Sequence, residues 1–164
     1  MVFSYNLIHC DLHPGNILVS PSNKLVILDC GICSSLSDLD RVNLKDLFRA
    51  VVRNKGKEAG YMIVDRSSGP GAENVKDREA FAEKIEAIVD EFHSRKKLGL
   101  TLGTVKIGEL LEDVMTCCRV NRVRMEPKMS AVVLSTIVLE GVARELDGRM
   151  NLFHAAMPFL FRNE

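Results

Sequence analysis

The sequence predicts an α+β fold that is predominantly helical. Two short apolar runs flank a turn near the N-terminus, Ile17-Leu18-Val19-Ser20 and Leu25-Val26-Ile27-Leu28, around Pro21-Ser22-Asn23-Lys24. Apolar runs of this length, broken by turn-forming residues, read as a β-hairpin. Beyond about residue 35 the apolar positions recur instead at helical spacing. The 164 residues suit one domain, and a compact chain of that size buries about 70% of its unfolded surface. Residues 1–35 and 36–164 therefore read as two parts of one unit, without internal repeats.

Composition narrows the function classes. The chain is 46% hydrophobic and 27% charged, with 22 Lys plus Arg against 22 Asp plus Glu. Proteins that grip nucleic acid electrostatically show a basic excess, which is missing here. No stretch reaches the 18 or so apolar residues of a membrane helix. The best candidate, Met129 to Leu139, is fenced by Lys128 and Glu140. No transmembrane helix is expected, and a peripheral membrane contact stays open. There is no secretory signal pattern or other targeting segment. Five cysteines without regular spacing argue against a disulfide scaffold and for a reducing compartment.

The hairpin, paired about Ser22-Asn23, sets Ile17 against Leu28, Val19 against Val26, and Asn16 opposite Asp29. A helix follows from about Asp38 to Arg53, striped by Leu39, Val42, Leu47 and Val51. Gly56 and Gly60 weaken the next segment, leaving Tyr61 to Val64 as a short helix or turn. Ser67 to Gly71 is a loop signal. Asp77 caps a helix reaching about Arg95, with Phe81, Ile85, Ile88 and Phe92 on one face. Leu98 to Thr104 is a connection. Helices follow from about Lys106 to Val120 and, with Pro127 as a first-turn proline, to about Leu146. The latter is apolar on most sides and is expected in the core. Asn151 caps a last short helix ending near Met157-Pro158.

Chemistry concentrates in His9-Cys10-Asp11-Leu12-His13-Pro14-Gly15-Asn16 and Asp29-Cys30-Gly31. A phosphoryl-transfer site needs a carboxylate to orient or deprotonate the acceptor hydroxyl, and oxygen ligands for Mg²⁺ on the nucleotide phosphates. Asp11 fits the base, and Asn16 and Asp29 fit the Mg²⁺ ligands. Pro14-Gly15 makes the bend that returns Asn16 beside Asp11, and Gly31 lets the chain turn after Asp29.

His9, Asp11, Leu12 and Asn16 form the His-x-Asp-Leu-x-x-x-Asn pattern of a kinase-type catalytic loop. Cys30 stands where the metal-binding Asp-Phe-Gly has Phe, and His13 where typical protein kinases carry Lys. The Asp-Leu-His-Pro-Gly-Asn form resembles the aarF-domain-containing, UbiB-like atypical kinases, and also the aminoglycoside and choline phosphotransferases. Leu139-Glu140-Gly141-Val142-Ala143-Arg144-Glu145-Leu146-Asp147, with Asn151-Leu152, looks like the closing helices of the aarF-domain group. Among its branches the chain looks most like the mitochondrial aarF-domain-containing kinase 2 type. The resemblance implies a protein-kinase-like C-lobe and use of ATP with Mg²⁺. It also implies nucleotide contact by His13, Asn16 and Asp29, mitochondrial localisation, and a role in coenzyme Q or mitochondrial lipid metabolism. The family's small lobe, with its phosphate-binding Lys and its Lys-x-Gly-Gln segment, has no counterpart before His9. The chain therefore reads as a C-lobe, a fragment or a truncated relative, expected to be inactive by itself.

No Ala-Pro-Glu follows Asp29, and the next helix starts by Asp38. A small-molecule or lipid-linked acceptor, or ATP hydrolysis, fits better than a peptide. A small-molecule phosphotransferase and a non-catalytic kinase-fold scaffold are the alternatives. His9, Gly15 and Gly31 read as shape-setting residues, His9 by hydrogen bonding to backbone near the metal-binding turn. Cys30-x-x-Cys33, with Cys10 nearby, invites a zinc reading. Structural zinc usually wants four ligands, and Cys117-Cys118 has the wrong spacing. The thiols are accordingly read as small core residues. Glu140 and Arg144, four apart, read by default as a helix ion pair, with a structural role in the closing helices as the alternative.

Overall fold

Two antiparallel ribbons, rather than one hairpin alone, organise the first 36 residues. The computed structural model describes residues 2–67, 77–97 and 106–161. A short helix α1 (Val2–Tyr5) leads into β1 (Ile8–His9), a 3₁₀ turn (Pro14–Asn16), β2 (Ile17–Val19), β3 (Leu25–Ile27) and β4 (Cys33–Ser34). Strand β2 pairs with β3, and β1 pairs across the whole excursion with β4, setting Ile8 against Ser34 and His9 against Cys33. The Asn6 side chain closes this excursion. Its amide donates to the Leu36 carbonyl at 2.7 Å and its oxygen accepts from Leu36 N–H at 2.9 Å.

The hairpin register differs by one residue from the expected one. Ile17 faces Ile27 and Val19 faces Leu25. Ser20 N–H donates to the Lys24 carbonyl, and Asn23 adopts a left-handed conformation at φ 59°. A three-residue loop ending on a left-handed residue is a favoured hairpin connection, and Asn tolerates that conformation better than most residues. The odd loop length moves the pairing by one. Asn16 therefore bonds Leu28, whose N–H reaches the Asn16 carbonyl at 2.9 Å, rather than lying opposite Asp29.

The remainder is helical: α2 (Asp38–Val52), α3 (Gly56–Asp65), α4 (Arg78–Lys97), α5 (Ile107–Val120), α6 (Pro127–Leu146) and α7 (Leu152–Leu160). Side chains place several starts. Ser37 Oγ accepts from Asp40 N–H, Asp77 Oδ1 from Ala80 N–H, and Asn151 Oδ1 from His154 N–H. Each satisfies an amide that the first helical turn leaves open. The predicted loop Ser67 to Gly71 and the connection Leu98 to Thr104 fall mostly or wholly outside the described residues.

The glycines read as weakening residues instead sit in a full helix. A Cβ on Gly56 would lie 2.6 Å from Glu86 Cα, and one on Gly60 the same distance from Ala82 Cα. The small residues let α3 press its backbone onto α4. That contact offsets the helix propensity glycine forfeits, about 1 kcal/mol each. Around it Phe81, Ile85 and Val89 of α4 pack with Ala59 and Val64 of α3 and Ile107 and Leu110 of α5. A second cluster, Ile8, Leu36, Leu44 and Val132, lies under the ribbons.

Helix α6 is less enclosed than its apolar sequence implies. Val132 and Val133 are buried, but Leu134 is 53% exposed. Glu140, by contrast, is 4% exposed. It accepts from Ile107 N–H at 3.0 Å and from Gly108 N–H at 2.5 Å, so it caps α5 from a neighbouring helix. Arg144 stands 3.6 Å away. The helix ion pair expected by default is made but buried, and its carboxylate serves also as a cap, with the cation offsetting the carboxylate's desolvation. Gly108 is required there, since a Cβ would meet Glu140 Oε2 at 2.8 Å. Helix α7 runs through Pro158 to Leu160, past the stop that the proline suggests.

Two substitutions test this packing by chemical denaturation. Gly60→Val destabilises the chain by roughly 1–3 kcal/mol through overpacking. Glu140→Ala costs about 1–3 kcal/mol for each stranded buried amide, whereas Glu109→Ala at the exposed start of α5 stays within about 0.5 kcal/mol.

Candidate functional site

The predicted site residues come together through backbone, on a knot tied by three side chains. His9 is 3% exposed. Its Nε2 donates to the Leu28 carbonyl at 3.0 Å, and its own carbonyl accepts from Ser135 Oγ of α6 at 3.0 Å. This joins the loop before Asp11 to the strand end before Asp29. Asn16 is also buried. Its Nδ2 donates to the Asp11 carbonyl at 3.0 Å, closing the 3₁₀ turn onto the residue expected to act as base. The carboxamide nitrogen is thereby spent, which leaves Oδ1 as the atom available to a cation.

His13 has a clear local task. Its Nδ1 accepts from Gly15 N–H at 3.1 Å, so its imidazole caps the turn that carries Asn16. A Cβ on Gly15 would crowd that ring at 3.0 Å. A larger residue at Gly15 therefore has to push the His13 ring aside by a few tenths of an ångström. Gly31 plays a similar part: its N–H donates to Asp29 Oδ1 at 3.3 Å, and a Cβ there would lie 3.1 Å from the same oxygen. The left-handed residue at this turn is Asp29 itself, at φ 50°, so the bend expected at Gly31 is made two residues earlier. Non-glycine residues held in that region cluster at functional sites, where the surroundings over-determine them.

Asp11 and Asp29 are both exposed, and the side chains of Asn16 and Asp29 each offer a hard oxygen donor. Mg²⁺ takes such ligands from one or two protein groups, with phosphate and water completing its shell. The residues therefore fit a magnesium–nucleotide complex. Leu12 and Ile17, each next in sequence to a candidate site residue, line an apolar cavity of about 410 Å³ together with Ile27, Leu139 and Phe159.

The His9 bond to backbone beside Asp29 is the one the sequence leads one to expect. Two other supports, Asn6 and Ser135, were not anticipated, because their partners lie 30 and 126 residues away in sequence, beyond any local pattern. The thiols are also placed differently. Cys118 is buried as expected, but Cys30 and Cys33 are exposed, so neither is a core filler.

A family model described as an ABC1 atypical kinase-like domain matches residues 1–62, which include every candidate site residue. Among curated proteins, the chain is 37% identical to a mitochondrial ABC1 family protein of Saccharomyces cerevisiae, over 88% of this chain and 21% of that one. It is 32% identical to a mitochondrial ABC1 family protein of Schizosaccharomyces pombe, over 98% of this chain and 29% of that one. It is 28% identical to a probable protein kinase UbiB of Shewanella, over 97% of this chain and 28% of that one. No solved structure matches. The chain thus belongs with the aarF-domain, UbiB-like atypical kinases, and spans about a fifth to three-tenths of the length of these relatives.

Thiol chemistry separates the cysteines. Burial pushes Cys118 up to about 12, because a thiolate is disfavoured away from water. At mildly alkaline pH it stays protonated. Iodoacetamide on the native chain is expected to label Cys30 and Cys33 and to spare Cys118 until guanidinium unfolds it, read by peptide mass spectrometry. Partial desolvation and the neighbouring Cys30 thiol also raise Cys33, which slows its labelling near neutral pH relative to an unshifted thiol.

Proposed function

We propose that this chain carries the base-bearing and metal-binding half of an ATP-dependent phosphoryl-transfer site of the aarF-domain kind. The observation that carries the reading is the knot itself. One short segment holds Asp11, Asn16 and Asp29 in fixed backbone relation through His9 and the Asn16 amide. In this reading residues 1–35 bear the site, and residues 36–164 are the helical body that supports it.

Each residue has a task that its surroundings suit. Asp11, exposed and anchored through its carbonyl, accepts the proton of an acceptor hydroxyl or orients it. Asn16 Oδ1 and the Asp29 carboxylate hold Mg²⁺. His13 keeps the Asn16 turn in shape through Nδ1 and presents its other ring nitrogen to nucleotide phosphate. Bound ATP and Mg²⁺ supply the transferable phosphoryl group and neutralise its developing charge.

The short interval between Asp29 and the start of α2 at Asp38, without an Ala-Pro-Glu, supports a small-molecule or lipid-linked acceptor over a peptide. The names of the two fungal relatives support mitochondrial localisation. Coenzyme Q or mitochondrial lipid metabolism follows from the family resemblance alone.

The test uses the longest natural form of the protein. Magnesium–ATP is expected to stabilise it against heat, by about 2.7 kcal/mol at a hundredfold excess over Kd. Asp29→Ala abolishes the shift. Asp11→Asn keeps the shift and loses phosphoryl transfer or ATP hydrolysis. A wild-type protein that shows no magnesium-dependent shift is a non-catalytic scaffold, and the reading fails.

A further inference from the structure

The second nitrogen of His9 has no task in the site described above. Nε2 is committed to the Leu28 carbonyl, while Nδ1 is buried without a hydrogen-bond partner. A carbonyl can only accept, so Nε2 carries the proton and Nδ1 holds a free lone pair. An unsatisfied buried acceptor is costly, on the order of 1–3 kcal/mol. Beside this ring stand two thiols. One imidazole nitrogen of His9 and the Sγ atoms of Cys30 and Cys33 all lie within 4.8 Å of one another.

The fold produces this grouping in two ways. His9 and Cys33 are direct partners across the β1–β4 ribbon, and opposed residues of an antiparallel pair project to the same face. The turn after Asp29 brings Cys30 back toward Cys33. Among the described residues this is the one grouping of three or more His, Cys, Asp or Glu side chains close enough to share an ion.

We propose that His9, Cys30 and Cys33 form a zinc site, distinct from the oxygen ligands of the magnesium position. The donor set argues for this class of metal. Two thiolates and an imidazole suit Zn²⁺ and are poor ligands for Mg²⁺. Three protein ligands leave a fourth tetrahedral position to water. The His9 hydrogen bond to a backbone carbonyl is the outer contact that fixes tautomer and orientation in metal-binding histidines. Zinc–sulfur and zinc–nitrogen bonds of about 2.3 and 2.0 Å put tetrahedral ligand atoms roughly 3.5–3.8 Å apart. The grouping, within 4.8 Å at present, contracts by at most about an ångström to reach that spacing, which the exposed side chains of Cys30 and Cys33 permit. Binding displaces the thiol protons, so affinity rises with pH.

The ion would pin the turn that follows Asp29 to the strand that precedes Asp11. The proposal stands on these three side chains and does not require the phosphoryl-transfer reading.

Cobalt is the probe. The metal-free chain under reducing conditions, its folding checked by circular dichroism, is titrated with Co²⁺. One equivalent is expected to bind, giving a sulfur-to-cobalt charge-transfer band and the intense visible bands of tetrahedral cobalt. Zn²⁺ bleaches both. Cys30→Ser with Cys33→Ser removes the bands, whereas Cys117→Ser leaves them intact. On the wild-type chain, Zn²⁺ protects Cys30 and Cys33 from iodoacetamide by at least tenfold in rate and raises the melting temperature. The proposal is overturned by weak octahedral cobalt bands, by bands that survive the double substitution, or by unprotected thiols at saturating Zn²⁺.

Discussion

The candidate site depends on one buried imidazole. The His9 side chain spans from β1 to the Leu28 carbonyl, and so ties the segment before Asp11 directly to the residue before Asp29, in addition to the β1–β4 pairing that closes the excursion. A buried hydrogen bond contributes a modest net stabilisation, about 0.5–1.5 kcal/mol. Its importance here is positional. Asp29 follows the accepting residue directly, and Asp11 follows the donor by two positions, so the separation of the two carboxylates is set by this bond and by the Asn16 bond to Asp11. A phosphoryl-transfer site gains from such preorganisation, because groups fixed beforehand need not reorganise during reaction.

The helical body supports that knot from below and from the side. Ile8 packs with Leu36, Leu44 and Val132 beneath the ribbons, and Ser135 of α6 bonds the His9 backbone. Helix α6 in turn is locked to α5 through Glu140, which takes two amide hydrogens at the start of that helix. A single helix therefore steadies the loop at its middle and caps a neighbour near its end. Its uneven burial follows from these two duties, with Leu134 left toward solvent. The tight backbone contact of α3 and α4, made possible by Gly56 and Gly60, forms the larger part of the core farther away.

Helix positions were largely legible in the residues. The periodic stripes and caps locate α2, α4, α5 and α6 to within a few residues, because an amphipathic face and a capping side chain are local signals. The glycines of α3 misled because their value lies in a neighbour: propensity counts the cost of Gly56 and Gly60 but not the closeness of Glu86 and Ala82. The hairpin was legible and its register was not. A left-handed Asn23 closes the loop one residue sooner than the four-residue turn expected, and one residue is enough to exchange the partner of Asn16 from Asp29 to Leu28.

The chemistry-bearing types and their order, from His9 through Asn16 to Asp29, are written in the chain, and they alone suffice to suggest a kinase-type loop. Which atoms remain free was decided partly by local turns and partly by tertiary structure. The Asn16 amide bonds the Asp11 carbonyl and His13 Nδ1 the Gly15 amide within one turn, whereas His9 Nε2 is committed to Leu28, 19 residues away, and the His9 ring comes to lie beside two cysteines that a sequence reading places in the core. Hydrogen-bond partners separated by many residues follow from how strands and helices pack, and no local pattern encodes that packing.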